Sequence, residues 1–244
     1  MDFSRLLYNI SGDTAVITFN RPDLRNAFDR TAYAEVKHAV RMAETDDAVD
    51  FIVLRGAGSD FATGGDLRYI HQMVESGDQM RLYDFGDDLP FNATRSTTKV
   101  TIAAVHGWCT AGGMCVAGAC DIVVASRSAK FAILEGRVGI GDPFIPTLLK
   151  DRISTAKLSL LMYTGRSIDA MEAERLGLVS LCVEDDALDE ALTELLHDLR
   201  STSRGSRRVY KAHLSRLGQP LAADGPAITH IDEEMLNRLR RWSK

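Results

Sequence analysis

The sequence predicts an α/β fold with an appended C-terminal helical region. Segments rich in β-branched residues alternate with helical patterns up to about residue 183, and only helical patterns follow. The chain has 244 residues, 45% hydrophobic and 26% charged, which is enough to bury a sizeable core. The same composition excludes a disordered chain, a collagen and a disulfide-stapled miniprotein.

In chain order, strands are expected at residues 15–19, 51–55, 100–105, 121–125 and 178–183. The clearest helical pattern lies at 31–44, where Ala32, Val36, Ala39, Val40 and Ala43 recur at helical spacing behind a capping Asp29. Further helices are expected at 66–74, 114–119, 147–163, 169–176, 187–200, 206–217 and 228–242. Gly218-Gln-Pro220 and Asp224-Gly-Pro226 read as turns between the last of these. The α/β core is assigned to residues 1–185 and the helical region to 186–244.

The formal net charge of −5 argues against a nucleic-acid partner. One local exception is basic: Arg200, Arg204, Arg207, Arg208, Lys211 and Arg216, with no acid among them. Such a run is either a solvated helical face or an attractor for a phosphate-bearing ligand. No apolar run is long enough to span a membrane, and the first residues do not resemble a signal peptide. A cytoplasmic location is therefore expected, with the 4 cysteines as free thiols. Their spacing fits no metal site, and none is expected.

Eleven of the 19 glycines fall in two windows, residues 56–65 and 107–141. The first follows a strand, but Phe61 stands where a dinucleotide fingerprint needs its third glycine, and no P-loop lysine is present. A different use suits both windows. Gly112-Gly113 opens a helix, where backbone N–H groups lack intrahelical partners and carry the positive end of the dipole. Gly64-Gly65 precedes another helix and offers a second such N–H. Two convergent donors would make an oxyanion hole for an enolate or tetrahedral intermediate. The alternative is that both pairs are simply tight strand-to-helix turns.

Five motifs stand in order along the chain. Asn20-Arg-Pro22 precedes Asn26-Ala-Phe28. Gly56-x-Gly58-x-x-Phe61 leads into Gly64-Gly65-Asp66-Leu67. Ala103-Ala-Val-His-Gly107 precedes Ala111-Gly112-Gly113, and Cys120-Asp121-Ile122 follows it. Thr164-Gly165-Arg166 leads to Ala170, Ala173 and Gly177-Leu178-Val179. In this order the sequence resembles the crotonase superfamily, the enoyl-CoA hydratase/isomerase family, over roughly residues 10–185.

The resemblance implies a crotonase-like spiral of ββα units. It implies an acyl-CoA thioester as substrate, its carbonyl held by the N–H groups of Gly65 and Gly112, with Gly64, Asp66 and Gly113 beside them. Coenzyme A would enter as part of the substrate, with no separate cofactor. Arg25 and Arg68 fall where such proteins approach the nucleotide end of coenzyme A; each is otherwise an ordinary surface arginine. The chain would form a homotrimer or a dimer of trimers, with residues 186–244 serving assembly and covering the site.

The family usually brings two carboxylates to the reacting carbons. The second position matches Glu135, which is otherwise a loop carboxylate. The first is Cys115, a departure that is open to three readings: a small buried filler, a residue tuning the pocket, or a nucleophile. A lone Glu135 beside an oxyanion hole suits an enoyl-CoA double-bond shift more than a hydration. Asp142, before Pro143, is either a turn residue or a second carboxylate. In the latter case hydration, hydrolysis, decarboxylation or ring chemistry becomes feasible. A thioester-binding homologue without activity is the non-enzymatic alternative. His106 is expected to support its loop, and Tyr69, Met73, Tyr83, Phe85 and Phe91 are candidates to line the acyl pocket.

Overall fold

The apolar runs near residues 51 and 100 become neighbouring parallel strands, because neither has a polar face to turn towards water. The computed structural model describes residues 3–77 and 90–214. Its strands are β1 (Leu6–Ser11), β2 (Thr14–Phe19), β3 (Phe51–Gly56), β4 (Val100–Val105), β5 (Trp108–Thr110), β6 (Ile122–Ser126), β7 (Lys130–Ala132), β8 (Ser167–Asp169) and β9 (Leu181–Val183). A six-stranded sheet runs β1-β2-β3-β4-β6-β9, antiparallel only at the β1–β2 hairpin. A second sheet, β5-β7-β8, takes the strands that follow β4 and β6. The strand pairs β1–β2, β4–β5 and β6–β7 are each followed by a helix, as expected of a spiral of ββα turns, while β3, β8 and β9 stand singly.

Helix α1 (Arg30–Thr45) starts where Asp29 accepts a hydrogen bond from the Ala32 N–H at 2.8 Å. It buries the five apolar residues that its periodicity singled out. Helices α2 (Leu67–Glu75), α3 (Pro90–Ser96) and α4 (Gly112–Ala119) follow, and α4 is buried along its whole length. The expected helix at 147–163 is instead two, α5 (Phe144–Leu149) and α6 (Thr155–Thr164). Between them Arg152 turns inward to donate to the carbonyl of Cys120, and Ile153 enters the core. Those two anchors bend the chain where local periodicity alone would continue a helix.

Helix α7 (Ala170–Arg175) begins at the capping Asp169. Helices α8 (Leu188–Ser201) and α9 (Arg204–Leu214) follow. Leu188 and Leu192 of α8 pack on the sheet face formed by Phe51, Val53, Ile102 and Val124. The expected strand at 178–183 shortens to β9, because the N–H groups of Leu178 and Val179 still turn back to Ala173. The expected helix at 228–242, Arg216, Tyr83 and Phe85 lie outside the described residues.

Four cations of the basic run are tied into the fold. Arg200 pairs with Asp13 at 2.7 Å, and Arg204 and Arg207 both pair with Asp50. Buried Lys211 donates to Asp121 and to the Lys99 carbonyl, each at 2.7 Å. These four cations neutralise acids supplied by the other half of the chain, so for them the reading of a purely solvated face is corrected, while Arg208 is exposed. Among the described residues no helix is long and apolar enough to cross a membrane.

Candidate active site

Strands β3 and β4 end side by side, so the glycine-rich segments that follow them run together. The Phe61 N–H donates to the His106 carbonyl and the Ala62 N–H to that of Trp108. In return the Thr110 N–H reaches the Ala62 carbonyl at 3.0 Å, and its hydroxyl the Thr63 carbonyl at 3.0 Å. His106 lies 3.0 Å from the Gly58 carbonyl through Nε2, bracing the first loop. Gly64 sits at φ +89°, and a methyl group built on it would lie 2.3 Å from the Ala111 Cβ. Only glycine lets the two loops meet this closely.

Gly65 and Gly112 both line the resulting cleft, and among the described residues neither N–H donates a backbone hydrogen bond. Ala111 leads into α4 at φ 54° and ψ −127°, a conformation that strains a residue with a side chain. It is held there because its N–H donates to the Ala132 carbonyl while its own carbonyl accepts from Met114 and Cys115.

The cleft encloses about 580 Å³. Phe28, Tyr33, Tyr69, Phe91 and Phe144 supply much of its apolar wall, and Met73 does not line it. Asp29, Glu135 and Asp142 all line it, and the Asp29 carboxylate is taken up in capping α1 and pairing with Arg5 at 2.9 Å. Glu135 enters on the short 3₁₀ turn Glu135–Arg137 just after β7, and Asp142 on the loop before α5. Glu135 is buried, and its Oε2 has no hydrogen-bond partner among the described residues. Burial, reinforced by the charge of Asp142, pushes the Glu135 carboxyl up to about 8. Burial also lifts Asp142, but backbone N–H groups of Phe144 and Ile145 hold it to about 6. The Phe144 N–H to Asp142 distance is 2.7 Å. Asp142 is thus a turn residue and a cleft carboxylate at once.

Other expected residues stand elsewhere. Cys115 is fully buried in α4, and burial drives its thiol well above the usual range, so it has no nucleophilic character. Neither Cys115 nor Gly113 lines the cleft; Gly113 packs instead against the Ala62 carbonyl. Asp66 caps α2 and pairs with Arg21 at 2.8 Å. Arg68 is exposed on α2 and lines no part of the cleft. Arg25 does line it, with its guanidinium engaged by buried Asp60 at 2.8 and 3.0 Å. Against the upward push of burial, that pairing and hydrogen bonds from the Trp108 N–H and the Ser59 hydroxyl hold the Asp60 carboxyl down to about 2.

No residue of 186–214 lines the cleft, so the described part of the helical region does not cover it. Conversely, Tyr33, Arg30, Trp108 and Arg137 do line it. Tyr33 was hidden in the sequence because it sits inside a regular helical pattern whose apolar positions all serve the core. Among the described residues no group of His, Cys, Asp and Glu side chains is arranged to hold a metal ion.

Comparison with known proteins bears on the fold and the family. The sequence model of the enoyl-CoA hydratase/isomerase family matches residues 9–241. A Rhizobium meliloti (strain 1021) protein named "Probable enoyl-CoA hydratase" is 32% identical over 92% of this chain and 86% of its own length. The short-chain-enoyl-CoA hydratase of Clostridium acetobutylicum is 29% identical, over 88% and 83%. The crystal structure of an enoyl-CoA hydratase/carnithine racemase from Magnetospirillum magneticum superposes with a TM-score of 0.82 at 26% identity, covering 100% of this chain and 89% of that one. The chain has the crotonase fold and belongs to the enoyl-CoA hydratase/isomerase family.

Proposed function

We propose that the protein shifts the double bond of an enoyl-CoA thioester through an enolate held at the N–H groups of Gly65 and Gly112. One observation carries this reading: two backbone donors without backbone partners among the described residues share a single cleft with two carboxylates, buried Glu135 and half-buried Asp142. A proton next to a thioester becomes removable only when the charge arriving on the carbonyl oxygen is stabilised. Fixed N–H donors in a dry cleft do this without reorganising.

The two carboxylates divide the proton work. With one pushed to about 8 and the other to about 6, the pair holds a single proton near neutral pH. The ionised member takes the proton from C2 of a 3-enoyl thioester, and the C2–H electron pair moves onto the thioester as a dienolate. The protonated member returns a proton at C4, leaving the double bond between C2 and C3. Glu135 and Asp142 then end with their charges exchanged, and one proton relay resets them. Coenzyme A takes part only as the carrier of the acyl group, and no further cofactor is required.

The presence of Asp142 in the cleft favours a second reading, because two carboxylates can also hold a water between them for hydration of a 2-enoyl thioester. Incubation with a 3-enoyl-CoA and a 2-enoyl-CoA separates the two readings. A positional isomer from the first supports the double-bond shift, and a 3-hydroxyacyl product from the second supports hydration. Glu135→Gln is expected to lower either rate by about 100-fold or more while leaving CoA-ester binding nearly intact. Product from neither substrate, with no exchange of the α-proton in heavy water, would overturn both. Leu160 and Tyr163 stand exposed on one side of α6 and support assembly into trimers. Sedimentation at the mass of one 26.8 kDa chain would contradict that assembly.

A further inference from the structure

We propose that the hydroxyl of Tyr33 is a third hydrogen-bond donor to the thioester oxygen, alongside the N–H groups of Gly65 and Gly112. The inference rests on the enolate reading above and adds a side chain to a site otherwise built from backbone. Its basis is the point at which three separate elements meet. A Cβ built on Gly112 would lie 2.1 Å from the Tyr33 hydroxyl oxygen and 3.4 Å from the Gly64 Cα. The phenol of α1, the first glycine loop and the second glycine loop therefore converge on one spot at the wall of the cleft. Tyr33, Gly65, Gly112 and Glu135 all line that cleft.

The absence of a side chain at Gly112 thus has two uses. It leaves the N–H approachable, and it leaves room for the hydroxyl where a side chain of residue 112 would otherwise stand. Any larger residue there would expel the phenol. The ring itself has little freedom. Phe28 lies 4.9 Å away and Phe91 meets it edge-on at 5.8 Å, both between ring centroids. Tyr33 stands in the first turn of α1, where its own N–H donates to the Asp29 carbonyl at 3.2 Å. A hydroxyl presented by a packed ring on a capped helix is already oriented before substrate arrives. That is the condition under which a donor stabilises developing charge.

The approach also differs from that of the backbone donors. Gly65 and Gly112 belong to the loops after β3 and β4, whereas Tyr33 enters from the helix that covers them. Three donors arriving from three elements would hold the oxygen against movement as the C1–C2 bond gains double-bond character.

The test is Tyr33→Phe, which keeps the ring and its contacts with Phe28 and Phe91. Isotope-edited infrared spectra of a bound acyl-CoA labelled with ¹³C at the thioester carbonyl report the donors directly. The wild-type protein is expected to lower the carbonyl frequency, and Tyr33→Phe to lose part of that shift. In parallel, kcat should fall about 10- to 100-fold with KM changed less than about threefold. An unchanged carbonyl frequency in Tyr33→Phe overturns the inference, whether or not turnover falls, since a packing role would not polarise the carbonyl. The enolate reading is checked separately in the double variant Glu135→Gln, Asp142→Asn, which should retain the carbonyl shift and lose α-proton exchange. A wild-type protein that neither polarises the carbonyl nor exchanges the proton overturns that reading, and this inference with it.

Discussion

Replacing Glu135 by Gln should make the fold more stable as the pH rises, because the native protein resists ionising a carboxyl it has buried. Below about pH 4.5 Glu135 is protonated in both the folded and unfolded chain, and the two proteins should share one pH dependence. Between there and about 8 the unfolded chain has released its proton while the folded chain keeps it. Over that window wild-type stability falls by about 1.4 kcal/mol per pH unit and then levels off. From pH 5 to pH 8 the advantage of Glu135→Gln should therefore grow by about 3.5 kcal/mol. Any fixed cost of burying the amide is the same at both pH values and cancels. Asp142 titrates at lower pH in both proteins and largely cancels as well. Urea unfolding at pH 5 and pH 8, followed by circular dichroism, measures this difference. A gap that changes by less than about 1 kcal/mol would mean that Glu135 ionises freely in the native state, and the reasoning from its burial would fail.

The pH dependence of kcat/KM should be bell-shaped, rising through about 6 and falling through about 8 as the carboxylate pair loses its two protons. Asp142→Asn should convert any residual activity to a single rising limb below pH 8, since the neighbouring charge that raises Glu135 is gone. A single rising limb in the wild-type protein would show Glu135 working alone. Cys115→Ala should leave turnover within about threefold and cost about 1 kcal/mol in chemical denaturation, and wild-type Cys115 should escape thiol reagents until the chain unfolds. Loss of turnover in a folded Cys115→Ala protein would return that residue to the chemistry. Gly64→Ala should cost about 3 kcal/mol or more, because it combines an unfavourable φ with a 2.3 Å contact to the Ala111 Cβ. A melting temperature equal to wild type would show that the two glycine loops are looser than their geometry implies.

Much of this molecule was legible before any coordinates. Helix α1 follows from five apolar residues at helical spacing and an aspartate ahead of them, since amphipathic periodicity and capping are local properties. The buried strands β3 and β4 follow from unbroken apolar runs, and the paired glycines marked both loops of the site. What failed was structure whose cause is distant. Strands β5, β7 and β8 have three residues each and exist only through partners elsewhere in the chain. The break between α5 and α6 depends on Arg152 reaching a carbonyl on another element.

The site divides in the same way. By itself the sequence determined the family, the glycine loops and a carboxylate at position 135, because each is written in residue type and order. Only the tertiary structure decided which side chains share the cleft. It brought Asp142 in beside Glu135, left Cys115 buried in its helix, tied Arg25 to Asp60, and set the Tyr33 hydroxyl against Gly112. A residue's type sets what chemistry it can do, but burial, partners and distance set whether it does it. Those depend on chain segments that meet only when the whole sheet has formed.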